Sequence, residues 1–249
     1  MNLSFIKLRV ADAAWILIDR VGAEGADPDW SAAARELCST VRGCGAQGLA
    51  VLERLSGSHA ARAWDRKGRV CPLSPSALLC IARWLFDMGQ IVGESVQISS
   101  REGLHDIVVL DSRNFSIGLG VAQVRAEGTR STVRLGEYSL TLRLIDGPLP
   151  RKRARTADRT GGDADVDVAV LAREMLRIRG YGSDALLSAG AGLAAAHKAD
   201  FAEREASVAL GRDQVIVQWL ESGELYVAGQ PHYCFRGEFW AEEQSPSEA

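Results

Sequence analysis

The order of elements legible in this sequence occurs twice, and that repetition limits the fold more than any single motif. In the first half, residues 3–9 and 15–20 read as strands rich in Ile, Leu and Phe. A short helix follows over residues 31–39, with Asp29-Trp30-Ser31 supplying caps. Gly43, Gly45 and Gly48 mark a turn region, and residues 49–52 and 59–65 read as further strands. Ser74-Pro75-Ser76 is the clearest helix start: Ser caps well, and Pro at the first helical position has no N–H to lose. Its apolar face runs through Leu78, Leu79, Ile81, Ala82, Leu85 and Phe86 to a stop at Gly89. Short strands then follow, among them residues 95–98, 107–110, 121–124 and 138–145.

The second half mirrors the first. Residues 165–171 and 175–178 read as strands, and Leu187-Ser188-Ala189-Gly190 opens a helix carrying Ala191, Leu193, Ala194 and Ala195. Strands at 206–210, 214–220, 224–227 and 233–236 complete it. A chain of 249 residues has room for two such lobes of about 120 residues each.

Composition removes several function classes. With 29 Lys+Arg against 32 Asp+Glu, the net charge of −3 gives no global field for nucleic acid or acidic membranes. The N-terminal residues lack a secretory pattern, and no apolar run reaches the ~18 residues a membrane span needs. The five Cys (Cys38, Cys44, Cys71, Cys80, Cys234) form no Cys-x-x-Cys pair, and the four His are scattered. Zinc spacing is absent, so neither metal nor cofactor is expected, and a reducing, cytoplasmic setting is the expectation. Residues 147–164 break the composition, with Pro148 and Pro150 before a basic run and Gly161-Gly162 after it. They read as a linker between an N-terminal lobe (1–146) and a C-terminal lobe (165–240), ahead of an acidic tail (241–249) expected to be disordered. A nucleic-acid patch at 151–159 is the competing reading, weakened by the lack of interleaved aromatics.

Several segments together resemble the diaminopimelate epimerase family. Phe5-Ile6-Lys7 with Trp15-Ile16-Leu17-Ile18-Asp19 is similar to that family's opening strand pair. Leu37-Cys38-Ser39 and Gly43-Cys44-Gly45-Ala46-Gln47-Gly48-Leu49 resemble its first helix end and Gly-rich turn. The run from Val208 through Trp219 and Gly229 to Phe235-Arg236-Gly237-Glu238 resembles its last hairpins. The resemblance implies an α+β fold of two pseudo-symmetric lobes, each a curled, mostly antiparallel sheet around a central helix. It also implies a small-molecule site in the cleft between the lobes, and dimerisation through sheet edges.

That family works with two cysteines, each at the N-terminus of a helix and followed by Gly-polar-Gly. Aligned without gaps, the first motif falls on residues 65–80, matching Gly68 and Cys80 but placing Ser74 at the reactive cysteine. The second falls on residues 178–190, matching Arg179, Gly180, Gly182 and Gly190 but placing Leu187 at the reactive cysteine. The family's Asn and Asp after the first strand become Ala13 and Ala14, and its adjacent Glu positions become Ile178 and Ser183. Leu187 exchanges no proton, so two-thiol epimerisation is excluded on chemical grounds.

What remains is a repurposed isomerase or cyclase acting on a small carboxylated or enolisable molecule. The phenazine-biosynthesis isomerase family, similar in fold, works without the thiols, using carboxylate and His groups. Asp184 is the candidate base here and Ser74 a second catalytic candidate. Ser76, Ala77, Ser183, Ser188, Ala189, Leu187 and Trp15 are expected to line the substrate. Helix N–H groups at 74–77 and 188–191 are expected to hold an anion. Arg179 reads either as an anion clamp or as an exposed strand end, Asp65 as a site carboxylate or a turn cap, and Asp184 alternatively as an exposed turn residue at a helix dipole. Cys71 reads as packed in the lobe interior. A non-catalytic relative that binds a ligand or an epimerase subunit is the alternative, and a nucleic-acid role through 151–159 is third.

Overall fold

The computed structural model describes residues 2–22, 27–55, 58–127, 130–147, 165–180 and 184–240. The expected linker and basic run, Ser183 and the acidic tail therefore lie outside the described residues. Two compact units emerge: residues 1–9, 13–107 and 231–249, and residues 10–12 and 108–230. These boundaries differ from the 1–146 and 165–240 division, for a reason visible in the strand pairing described below.

The first unit is built on one sheet. In spatial order its strands are β6 (Ser95–Ser100), β4 (Ser58–Asp65), β3 (Gly48–Leu55), β2 (Ala13–Asp19), β1 (Asn2–Val10) and β16 (His232–Trp240), with β5 (Val70–Cys71) paired to β4 and β7 (Gly103–Val109) to β6. Strand alternation sends Ile16 and Ile18 to one face and Trp15, Leu17 and Asp19 to the other. On the first face lies α1 (Trp30–Leu37), whose Trp30, Ala33, Ala34 and Leu37 pack with Leu3, Phe5, Ile16, Ile18, Leu49, Val51 and Trp64. Asp29 caps α1, accepting from the Ala32 N–H at 3.0 Å. On the second face lies α2 (Pro75–Asp87), tied to β2 by Trp15 Nε1 donating to Ser76 Oγ and Trp84 Nε1 donating to Asp19 Oδ2.

The second unit is a closed ring of eight strands. In order these are β8 (Phe115–Glu127), β9 (Arg130–Leu135), β10 (Tyr138–Asp146), β11 (Asp165–Ala172), β12 (Met175–Arg179), β13 (Glu205–Leu210), β14 (Asp213–Trp219) and β15 (Glu224–Gly229), and β15 pairs back to β8. Pairing is antiparallel except at β10–β11 and β12–β13. This closure explains the boundary: β8, β9 and β10 complete the ring around the second unit's helix, although they precede the composition break.

The ring encircles α3 (Ala185–Lys198), which touches all eight strands. The helix sequence Ala-Leu-Leu-Ser-Ala-Gly-Ala-Gly-Leu-Ala-Ala-Ala is narrow enough to sit there. A Cβ on Gly192 would lie 2.7 Å from Ile178 Cδ1 and 3.4 Å from Val168 Cγ2, so that glycine sets the approach of β11 and β12. Among the described residues no helix is long and apolar enough to cross a membrane.

Candidate functional site

The position that the family resemblance aligns with its first reactive cysteine lies at the N-terminus of α2. Ser74 is the N-cap, with its Oγ accepting from the Ala77 N–H at 3.3 Å and lying 3.0 Å from Ser76 Oγ. Ser76 is fully buried and accepts from Trp15 Nε1 at 3.0 Å. Pro75 has no N–H, and that of Ala77 is taken, so little of the usual anion cradle remains. The Trp15 ring fits because its cross-strand partner is Gly48, where a Cβ would stand 2.4 Å from it. Ser76→Ala strands the buried indole N–H and is expected to cost about 1–3 kcal/mol, measurable by urea unfolding of the full chain.

Asp65 resolves as a turn cap. Its Oδ1 accepts the N–H groups of Lys67 and Arg69, and its Oδ2 is gripped by the Arg69 guanidinium at 2.6 and 2.8 Å. Burial pushes its pKa up, but these donors outweigh that and hold the carboxyl below its ordinary range. Among the cysteines, burial pushes the Cys38 thiol up to about 12 and the Cys71 thiol up to about 11. Both are protonated thiols at neutral pH, which suits packing rather than nucleophilic chemistry. Among the described residues no group of His, Cys, Asp and Glu is arranged to hold a metal.

In the second unit the helix begins earlier than Leu187-Ser188. Asp184 is the N-cap of α3, because its carboxylate out-competes any later residue for the first-turn donors: Oδ1 accepts from Leu186 N–H at 2.8 Å and Leu187 N–H at 3.4 Å. Ser188 and Ala189 consequently sit inside the helix, fully buried, and Ser188 Oγ donates to the Asp184 carbonyl at 3.0 Å. Residues 188–191 therefore offer no open helix N-terminus. Asp184 is 1% exposed, which rules out the exposed-turn reading. The chain's own carboxylate fills the position where an external anion was expected.

Arg179 ends β12 on the strand that leads, through 180–183, into Asp184. It is not an exposed strand end. Its side chain is 28% exposed, and its Nε and Nη2 are buried with no acceptor among the described residues. Its cross-strand neighbour Asp167 is 1% exposed, and Asp167 Oδ2 lies 4.0 Å from Arg179 Nη2, too far for a hydrogen bond. Asp167 Oδ1 is held by Arg143 Nε and Nη2 at 2.8 and 2.5 Å. Sequence reasoning missed Asp167 and Arg143. Their signal was alternation: Val166 and Val168 are core residues, so the Asp between them projects from the opposite face, where the two flanking strands each present an Arg.

No protein-family model matches the sequence, and a search of curated proteins finds no match. Solved structures do match. A phenazine biosynthesis protein of the PhzF family from Bacillus anthracis superposes with a TM-score of 0.72 at 10% identity, covering 97% of this chain and all of that one. The fold is epimerase-like. A predicted epimerase from Pseudomonas aeruginosa matches with a TM-score of 0.69 at 16% identity over 96% of this chain and 100% of the other. A hydroxyproline epimerase from Agrobacterium vitis, with trans-4-hydroxy-L-proline bound, matches with a TM-score of 0.59 at 12% identity over 95% of this chain and 92% of the other. These neighbours share the diaminopimelate epimerase-like architecture; at such identities the likeness is one of fold.

Proposed function

We propose that this chain is an isomerase-type enzyme that moves a proton on a small carboxylated or enolisable molecule. In this reading Arg179 holds the substrate's anionic oxygens and the Asp184 carboxyl transfers the proton. One observation carries it: among the described residues Arg179 Nε and Nη2 are buried without a hydrogen-bond acceptor, at the last residue of β12 and five residues before the α3 N-cap Asp184. Leaving such donors unpaired costs stability, and a carboxylate or enolate oxygen pair satisfies them bidentately. The orphaned Asp167 Oδ2 beside them fits a neighbouring hydroxyl or amide N–H, so a substrate with a donor next to its acid group matches the pair best. The isomerases and epimerases among the structural neighbours support this class of chemistry.

Two-thiol epimerisation forms no part of it, because the family resemblance aligns Ser74 and Leu187 with the two reactive cysteines. A panel of small carboxylic acids incubated with the protein in heavy water tests the reading by mass spectrometry. Deuterium is expected to enter a C–H position of at least one hydroxylated or amidated acid, and none to enter the α-position of diaminopimelate. Absence of exchange across the panel, or exchange into diaminopimelate, contradicts it. The self-capped helix ends favour a second reading, a binding protein without turnover; that reading predicts ligand-induced thermal stabilisation with no exchange.

A further inference from the structure

A recess of about 460 Å³ lies on the α1 side of the first unit's sheet. First-unit residues alone build it, so it stands apart from the reading of Arg179 and Asp184. Its size falls in the range of small-molecule sites. Phe5 of β1, Leu37 at the end of α1, Phe239 of β16 and Cys44 supply apolar walls. Burial pushes the Cys44 thiol up against the pull of Lys7, so the thiol is neutral and belongs to that lining. The Phe5 ring fits beside β16 because Gly237 is its cross-strand partner: a Cβ there would lie 2.8 Å from the ring.

The loop that completes the recess is held by hydrogen bonds along its whole length. Ser39 accepts four N–H groups, those of Val41 and Arg42 on Oγ and those of Gly43 and Gly45 on its carbonyl. The Leu37 and Cys38 carbonyls accept from the Cys44 and Ala46 N–H groups, and Lys7 Nζ donates to the Cys44 carbonyl at 2.8 Å. Gly43 lets the chain turn back over the end of α1, since a Cβ at this position would collide with the Glu36 carbonyl oxygen. A wall already ordered by folding loses little further entropy when a ligand binds. Packing alone does not account for what this loop carries, because Val41 is 91% exposed and Arg42 is exposed beside it.

Two charged residues line the recess, Glu36 from α1 and Arg42 from the loop. Both are exposed, and among the described residues neither holds an ion pair. Glu238 borders the recess too, but strand alternation turns its carboxylate to the other face of the sheet, where it accepts from Asn2 Nδ2 at 3.0 Å. One carboxylate and one guanidinium thus flank an apolar floor. An apolar amine satisfies only the first and an apolar acid only the second. An α-amino acid satisfies both, with its ammonium on Glu36, its carboxylate on Arg42 and its side chain against Phe5, Leu37 and Phe239. We propose that this recess is a binding site for a free α-amino acid with a bulky apolar side chain.

Calorimetric titration of the full-length protein with L-phenylalanine tests the proposal. Phenethylamine, which lacks the carboxylate, and 3-phenylpropionate, which lacks the ammonium, serve as matched probes. L-Phenylalanine is expected to bind, and each probe to bind about fivefold weaker, the upper end of what an exposed ion pair contributes. Arg42→Gln should weaken L-phenylalanine by the same factor and leave phenethylamine unchanged. Glu36→Gln should weaken L-phenylalanine and leave 3-phenylpropionate unchanged. Both positions are exposed, so neither substitution endangers the fold. Arg179→Met should keep L-phenylalanine binding intact. No binding of L-phenylalanine at millimolar concentration overturns the proposal, as do probes that bind as tightly as the amino acid. Binding indifferent to both charge substitutions also overturns it, and so does binding that Arg179→Met abolishes, which assigns the ligand to the second unit.

Discussion

Arg179→Met is expected to abolish recognition of the anionic substrate while leaving the protein as stable as before or more so. The two effects have opposite signs because the guanidinium is costly in the empty protein and useful only when filled. Buried donors without acceptors cost about 1–3 kcal/mol, and Met restores the packing without that penalty. Losing a buried charge-assisted pair to a ligand anion costs about 2–5 kcal/mol, or roughly 30-fold or more in affinity. Asp167 remains held by Arg143, so the substitution leaves no naked carboxylate behind. Titration calorimetry with the best acid from the exchange panel, alongside thermal melts of the free proteins, checks both halves. A large loss of stability assigns Arg179 to the fold instead.

Gly192→Leu is expected to have the largest effect on folding. Even a Cβ at this position comes within 2.7 Å of Ile178, and the neighbouring strands are closed into a ring that cannot spread on one side alone. Overpacking of a well-filled core costs about 1–3 kcal/mol and occasionally more, and a whole isobutyl group against two strands belongs at or beyond the top of that range. Gly192→Ala is a milder case: it gains about 1 kcal/mol of helix propensity against the same clash. A chemical-denaturation series of Gly, Ala and Leu at this position should therefore fall steeply only at the last step.

Much of the fold was legible because it is written in local chemistry. Ser74-Pro75 marks its helix start unambiguously, and the small-residue run after Leu187 reads as a central helix. The resemblance of the two halves carried the architecture. Ring closure was not legible, since β15 meets β8 across about a hundred residues and no local pattern encodes that pairing. The start of α3 was misplaced for a similar reason. The sequence reads as a helix opening at Leu187-Ser188, whereas Asp184 caps it because its carboxylate reaches two first-turn N–H groups at once. At the candidate site, Arg179 was visible in its motif but its unmet hydrogen bonds were not. Arg143, Asp167 and Arg179 come from three neighbouring strands, so the grouping of the two arginines about Asp167 exists only after the sheet has formed.

The proposed function rests on one buried carboxyl, Asp184, transferring the proton. Asp184→Asn tests it cleanly, because Asn is as good an N-cap as Asp and keeps the first turn of α3, whereas Ala loses about 0.5–2 kcal/mol of capping. The measurement is solvent-deuterium exchange into the best substrate, by wild-type protein and by Asp184→Asn, at saturating ligand. The account predicts exchange by the wild type and its loss in the Asn variant, with ligand affinity and melting temperature little changed. Exchange that persists undiminished in Asp184→Asn contradicts it and leaves Asp184 with the structural task of capping α3.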